Sequence, residues 1–307
     1  MEITQSAFTL LITTKNRIKD LIFTLDKIKY LLEKENVKCI ICDDGSTDGT
    51  SVFIQTNYPE MELIQNRISK GLIFSRNRLL SLVKTEFAIS LDDDAHFITK
   101  NPLHSIQEHF KRNTNCGLIA FRIFWGLDEP NEIFSTNKTM RVQGFVGCAH
   151  VWRMKAWEDI PNYPDWFVFY GEEDFAAYQL FKNNWGIDYL PEVLVNHRVN
   201  IKARKNNKDY TQRLRMSLRS GWYLFSMFYP LRKIPKKIMY SIAVQMRDKV
   251  FKGDLKVLKA LFLAGLDLVM AIPKIIKNKN RLTNEEYDLF QKLPATKIYW
   301  QPNNNKN

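Results

Sequence analysis

Three consecutive aspartates, Asp92, Asp93 and Asp94, follow the apolar run Phe87-Ala88-Ile89-Ser90-Leu91. So short an apolar run reads as a strand buried on both faces. Like charges set side by side at its end are costly unless a cation neutralises them. In open α/β sheets the ligand crevice lies outside the carboxyl ends of the strands. An Asp-x-Asp at that edge suits a hard cation, and Mg²⁺ or Mn²⁺ would link it to a diphosphate. The plainer alternative is a solvated acidic loop.

Other strand ends carry matching chemistry. Residues 37–42 run into Asp43-Asp44-Gly45-Ser46-Thr47-Asp48-Gly49. A carboxylate there could accept from the imide of a base or from ribose hydroxyls, and the following residues could turn the chain and cap a helix. The first apolar run ends in Thr13-Thr14-Lys15-Asn16-Arg17, where a helix N-terminus and Arg17 would favour an anion. Arg76 shares a helical face with Leu72, Leu79, Leu80 and Val83. A guanidinium on such a stripe reaches a buried partner or a phosphate, unless it snorkels.

The elements that position these residues follow from periodicity. Strands are expected at 8–13, 37–42, 61–64 and 87–91, with helices between them, the last of these over 72–83. This β-α-β-α-β order predicts a mostly parallel sheet with helices on both faces. Further strands are expected at 117–121, 146–152 and 187–190, and a helix over 173–182. Beyond residue 200 strand signals fade; Leu214, Leu218, Trp222 and Phe225, and then Ile242, Met246 and Val250, recur at about four-residue spacing, with Pro230 and Pro235 breaking the helices between them.

Taken together the motifs resemble glycosyltransferase family 2, the inverting enzymes of GT-A fold. The family's first strand ends in a P-T-Y-N-R-like motif, its second in D-D-G-S-x-D and its fourth in D-x-D. An acidic motif opens a later helix, here Phe169-Tyr170-Gly171-Glu172-Glu173-Asp174-Phe175. A P-x-x-x-V-x-H segment closes the sheet, here Pro191-Glu192-Val193-Leu194-Val195-Asn196-His197. The resemblance covers about residues 8–230. It implies that Thr14, Arg17, Asp43, Asp44, Arg76, Asp92 and Asp93 hold a nucleotide-sugar. It implies Mn²⁺ or Mg²⁺ on Asp92, Asp94 and His197, and a general base at Asp174 with Glu173 as its rival. Trp166 and Tyr170 would stack on the acceptor, or belong to the core. Three departures stand out: Thr13 and Lys15 replace the usual proline and tyrosine, the acidic motif is one residue short, and Gln179 stands where an arginine is expected. The implied reaction moves a sugar, from a UDP-sugar by preference, to a hydroxyl of a glycan or lipid-linked acceptor in polysaccharide assembly. The implied domain layout is a GT-A domain over 1–212, its nucleotide half at about 1–98 and its acceptor half at about 99–212, with a basic helical extension over 213–307.

Composition limits the alternatives. The 307 residues, 45% hydrophobic, allow a sizeable core. Four cysteines are too few for a disulfide scaffold, and Cys39 and Cys42 point to opposite faces of a strand, as core thiols would in a reducing cytosol. No basic leader or run of membrane-spanning length is evident. The net charge of +12 is concentrated in the second half. Eight Lys/Arg face one Asp from Arg198 to Arg219, and thirteen face three Asp from Arg232 to Arg281. Such a surface suits an anionic membrane. The expected location is therefore the inner face of the cell membrane; helices packed on the catalytic domain or in a homodimer are the competing use. A nucleic-acid-binding protein would need a recognition motif, and none is found. A nucleotidyltransferase would need a Gly-rich loop where Thr13-Thr14-Lys15-Asn16 stands. A catalytically silent sugar-nucleotide module is the remaining rival, against which the intact acidic clusters argue.

Overall fold

The computed structural model describes residues 6–199 and 209–302. The basic residues Lys202, Arg204, Lys205 and Lys208 lie outside the described residues. Along the chain run β1 (Phe8–Thr14), α1 (Ile18–Glu33), β2 (Lys38–Asp43), α2 (Thr50–Asn57), β3 (Glu62–Gln65), α3 (Leu72–Leu80) and β4 (Phe87–Asp92). Then come β5 (Ala95–Phe97), α4 (Pro102–Arg112), β6 (Cys116–Trp125), β7 (Met140–Val142), β8 (Ala149–Arg153), α5 (Met154–Glu158), α6 (Glu172–Lys182) and β9 (Gly186–His197). Five helices follow: α7 (Tyr210–Phe228), α8 (Ile234–Asp248), α9 (Lys256–Met270), α10 (Ile272–Asn278) and α11 (Asn284–Lys292).

The nine strands form one sheet in the order β3-β2-β1-β4-β8-β6-β9-β5, with β7 also on β9. Strands β1, β2, β3, β4, β6 and β9 run one way, and β5, β7 and β8 run against them. The expected mostly parallel sheet, with helices on both faces, is found. Its β1–β4 half brings the ends of β1, β2 and β4 to one edge, where the acids stand.

Alternation along the pleat divides the core. Leu10, Ile12, Cys39, Ile41, Ile89 and Leu91 pack with α1 and α4 on one face. Leu11, Ile40, Cys42 and Ala88 pack with α3 and α6 on the other. Cys39 and Cys42 are therefore buried free thiols on opposite faces, as expected. The second face also takes in Tyr223 and Phe228 of α7, Ile275 of α10 and Phe290 of α11, so part of the C-terminal segment shares the core of the sheet.

Several boundaries differ from the sequence reading, each for a local reason. Helix α3 stops at Leu80, where the chain tightens into turns. Residues 146–148 form a loop instead of opening β8, and the Gly147 carbonyl accepts from Arg76. Strand β9 continues through Pro191 to His197, with a register shift against β6 at Pro191–Val193 that spares the ladder a missing N–H.

Candidate active site

Strand β4 delivers the three aspartates with different partners. Asp93 is buried: its Oδ2 accepts from Thr14 Oγ1 at 2.8 Å, and its Oδ1 lies 3.1 Å from Arg17 Nη1. Burial pushes its carboxyl up to about 7, against the pull of Arg17. Asp94 is also buried, with Oδ2 accepting from Arg17 Nη2 at 2.6 Å. Its Oδ1 faces His197 Nε2 at 3.1 Å, an ion pair when the imidazole is protonated. Burial would raise Asp94, but His197 and Arg17 outweigh it and hold it down to about 2. Burial likewise opposes charge on His197, and Cys148 and Asp94 outweigh it and push it up to about 11. The end of β9 reaches this place because Ala95 of β5 pairs with His197.

Asp92, Asp94 and His197 offer ligand atoms within 4.8 Å of one another. Two carboxylates and an imidazole suit Mn²⁺ or Mg²⁺ better than a thiophilic metal. A second group, His109, Cys116 and Asp188, is also close enough. There Asp188 already accepts from His109 at 2.9 Å and from Arg141 at 2.6 Å, a satisfied ion-pair set. That group borders the larger cleft, about 700 Å³, which is lined by His104, Arg112 and Arg141 and by none of the β4 acids.

The cleft over the β4 acids is about 470 Å³ and is lined among others by Thr14, Lys15, Arg17, Asp44, Asp92 and Asp94. Asp43 is not on its wall. Its Oδ1 accepts from Ser46 N at 2.9 Å, and its Oδ2 takes the Ser51 hydroxyl, which pins the turn into α2. Asp44 is clamped by the loop before α3: Asn66 Nδ2, Lys70 N, Ser69 Oγ and Gly71 N donate to it at 2.6–2.9 Å. Burial would raise Asp44, but those four donors outweigh it and hold it below the usual carboxylate range. Both acids thus already serve the backbone, which the sequence reading left open beside a ligand role.

Arg76 resolves as a hub between elements. Its side chain is 6% exposed; Nη1 donates to Glu172 Oε1 at 2.8 Å, and Nη2 to Asp92 Oδ1 and the Gly147 carbonyl at 2.8 Å each. Here the apolar stripe signalled a buried partner, and that partner is an acid of α6. Glu172 is 2% exposed. Burial first, and the Glu173 charge next, raise its pKa, while Arg76 works against both.

The first turn of α6 separates the two rival bases. Gly171 enters the helix at φ 90°, a left-handed conformation natural to glycine. Successive residues then point about 100° apart. Glu173 turns inward: a Cβ at position 147 would collide with its Oε1 and lie 2.8 Å from Arg76 Nη1. Asp174 is exposed, and its charge adds to what raises the Tyr178 and Tyr229 hydroxyls. Its surface is open to solvent although protein surrounds its other sides, and burial and the Glu173 charge push it up to about 6.

The proposed acceptor aromatics are divided too. Trp166 is half-buried against Phe167, at 4.6 Å between ring centroids, and Tyr223, at 5.2 Å. The Tyr170 hydroxyl accepts from Arg213 Nη1 at 3.4 Å. Phe169 and Arg213 themselves line the cleft, and neither was assigned a site role from the sequence. The signal for Phe169 was its place three residues ahead of the acids. Arg213 was hidden within a longer basic run. Arg198 was missed as well: it donates to Thr24 Oγ1 at 2.7 Å and to the Asp93 carbonyl at 3.3 Å, bracing the acidic turn from below.

Comparison with known proteins identifies the family and the fold. The family described as "Glycosyl transferase family 2" matches residues 9–178. The Escherichia coli UDP-Glc:alpha-D-GlcNAc-diphosphoundecaprenol beta-1,3-glucosyltransferase WfaP is 29% identical over 93 residues, which are 29% of this chain and 37% of that protein. The match thus spans little more than a third of that relative's length. Among solved structures, the mannosyltransferase PcManGT from Pyrobaculum calidifontis, in complex with GDP-Man and Mn²⁺, superposes with a TM-score of 0.54 at 14% identity over 94% of this chain and 79% of that one. S. aureus TarS 1-349 in complex with UDP-GlcNAc gives 0.56 at 15% identity over 89% and 83%. GalNAc-T7 with UDP, GalNAc and Mn²⁺ gives 0.60 at 11% identity over 89% and 58%. These likenesses show a shared GT-A fold. With the family match covering more than half its length, the chain belongs to glycosyltransferase family 2 and is a glycosyltransferase.

Proposed function

We propose that this enzyme is a metal-dependent inverting glycosyltransferase. It moves a sugar from a UDP-sugar to a hydroxyl of a glycan or lipid-linked acceptor in polysaccharide assembly, working peripherally on the cytoplasmic face of the cell membrane. The observation that carries this reading is the Asp92, Asp94 and His197 cluster, linked through Arg76 to a carboxylate at the head of α6. The WfaP relative is named for a UDP-Glc donor and a diphosphoundecaprenol acceptor, which supports the choice of UDP and of a lipid-linked acceptor.

Asp92, Asp94 and His197 would hold Mn²⁺ or Mg²⁺. When bound, the ion supplies positive charge to the diphosphate leaving group. The chain's own residues do the rest. Thr14, Lys15, Arg17 and Asp44 border the space for the nucleotide. Glu173, beside Arg76 and Gly147, is the acid better placed to take the proton of the acceptor hydroxyl as it attacks the anomeric carbon. One displacement inverts that carbon, so an α-linked donor gives a β-linked product, and no enzyme nucleophile is required. Arg76 positions Asp92 and α6 relative to each other. Phe169 and Tyr170 offer an aromatic wall for the acceptor, while Trp166 serves the packing of α7.

The test is UDP release from a panel of UDP-sugars, with GDP-Man as a control, in Mn²⁺. Turnover with at least one UDP-sugar, raised by acceptor, is the expected result. Binding of UDP-sugars without release from any of them, with or without acceptor, would leave a catalytically silent module instead.

A further inference from the structure

Helix α9 carries apolar residues on two opposite sides. Val257, Ala260 and Ala264 are buried, the last packed with Leu218 and Trp222 of α7. On the other side Leu255, Leu258, Phe262, Leu266 and Val269 recur at spacings of three and four and are 43–67% exposed. At 100° per residue they form one stripe facing away from the protein. Met270, Phe251 and, on α8, Met239 and Tyr240 are exposed as well. A helix packed by one side alone ordinarily presents polar residues on the other.

The charge around the stripe narrows the choice of what covers it. Lys252, Lys256 and Lys259 flank it, and Lys274 and Lys277 follow on α10; all five are exposed. Of the three aspartates in this region, Asp267 is held by Arg215 through two bonds at 2.5 and 2.7 Å, and Asp248 by Arg247 at 2.7 Å. The remaining charge is strongly positive. A second copy docked symmetrically would set these lysines against themselves. No helix among the described residues is long and apolar enough to cross a membrane.

We propose that the outer stripe of α9 lies in the plane of an anionic phospholipid surface, its apolar side chains at the acyl boundary and its lysines on the phosphates. The orientation suits the transfer reaction, and this part rests on the lipid-linked acceptor proposed above. Arg213 borders the cleft, and Arg215, two residues along α7, binds Asp267 near the end of α9. The Val269 end of the stripe therefore lies beside the end of α7 that borders the cleft, where a lipid-anchored acceptor would be presented.

Co-sedimentation of the full chain with phosphatidylcholine vesicles, with and without phosphatidylglycerol, tests the proposal. Binding to the anionic vesicles alone, weakened by salt, is expected. The double variant Phe262→Asp/Val269→Asp should lower the bound fraction about tenfold, while UDP binding in solution with Mn²⁺ is unchanged. Lys256→Glu/Lys259→Glu should lower it too. The proposal is overturned if the wild type ignores anionic vesicles at low salt, or if the Phe262/Val269 variant binds them as well as the wild type. A wild-type dimer in light scattering that the Phe262/Val269 variant dissolves would assign the stripe to a second copy and overturn it as well. None of these failures touches UDP release, so the transferase reading stands or falls separately.

Discussion

Glu173→Gln is expected to lower kcat by roughly 10²–10⁴-fold, the usual contribution of a positioned general base. Affinity for UDP in the presence of Mn²⁺ should stay within about threefold of the wild type, because a base acts on the acceptor and not on the donor. Asp174→Asn should retain most of its activity. The difference rests on helix geometry. Glu173 sits against Gly147 and Arg76, one guanidinium away from Asp92, whereas the Asp174 charge is felt by Tyr178 and Tyr229. Asp174 also brings a pH argument. Its folded pKa, about 6, lies above the usual aspartate value, so its ionised form is disfavoured in the folded protein. The linkage sign is then negative above that pH: the native state binds the extra proton, and stability falls as pH rises through the interval. Asp174→Asn should therefore leave thermal stability at neutral pH unchanged or higher. Near-full activity in Glu173→Gln combined with collapse in Asp174→Asn would move the base by one position.

The second large effect is on stability. Arg76→Met should cost about 3–5 kcal/mol, the range for removing one partner of a buried ion pair. Methionine fills much of the volume, so the loss comes from charge. Glu172 would remain 2% exposed with no cation, and Asp92 and the Gly147 carbonyl would each lose a donor. A urea midpoint measured at constant slope gives the number. Adding Glu172→Leu to Arg76→Met should restore a large part of it, since the stranded charge is then gone. A loss under about 1 kcal/mol for Arg76→Met would show that the pair is not what joins α3 to α6.

Much of the β1–β4 half was legible because its signals are local. The apolar runs at 8–13, 37–42 and 87–91 are short, and each ends in polar residues that a strand end must expose, so β1, β2 and β4 follow with their motifs in register. The acidic edge follows from them, since parallel strands bring their carboxyl ends together. What depends on long-range pairing was hidden. The stripe containing Arg76 announced a buried partner, but nothing local could point to Glu172, 96 residues away. Three acids in one helical turn cannot be ranked from spacing, because the rotation of α6 decides which faces Arg76; Gly171 enters that helix in a left-handed conformation, and Gly147 leaves the room that Glu173 occupies. The small strands β5 and β7, three residues each, carry too little pattern to be seen. The C-terminal helices looked like a separate basic extension by composition. Yet Tyr223, Phe228, Ile275 and Phe290 pack into the core behind α6, while α8, the outer side of α9 and the lysines of α10 keep the exposed character that their charge suggested.

The central claim is that the cleft over β4 binds a nucleotide through a metal held by Asp92, Asp94 and His197. Calorimetric titration of UDP into the protein, with Mn²⁺ and again with EDTA, tests it most directly, alongside Asp94→Ala. The account predicts one UDP per chain in Mn²⁺, with binding lost both in EDTA and in Asp94→Ala. UDP binding of equal affinity in EDTA, or unchanged by Asp94→Ala, would contradict it.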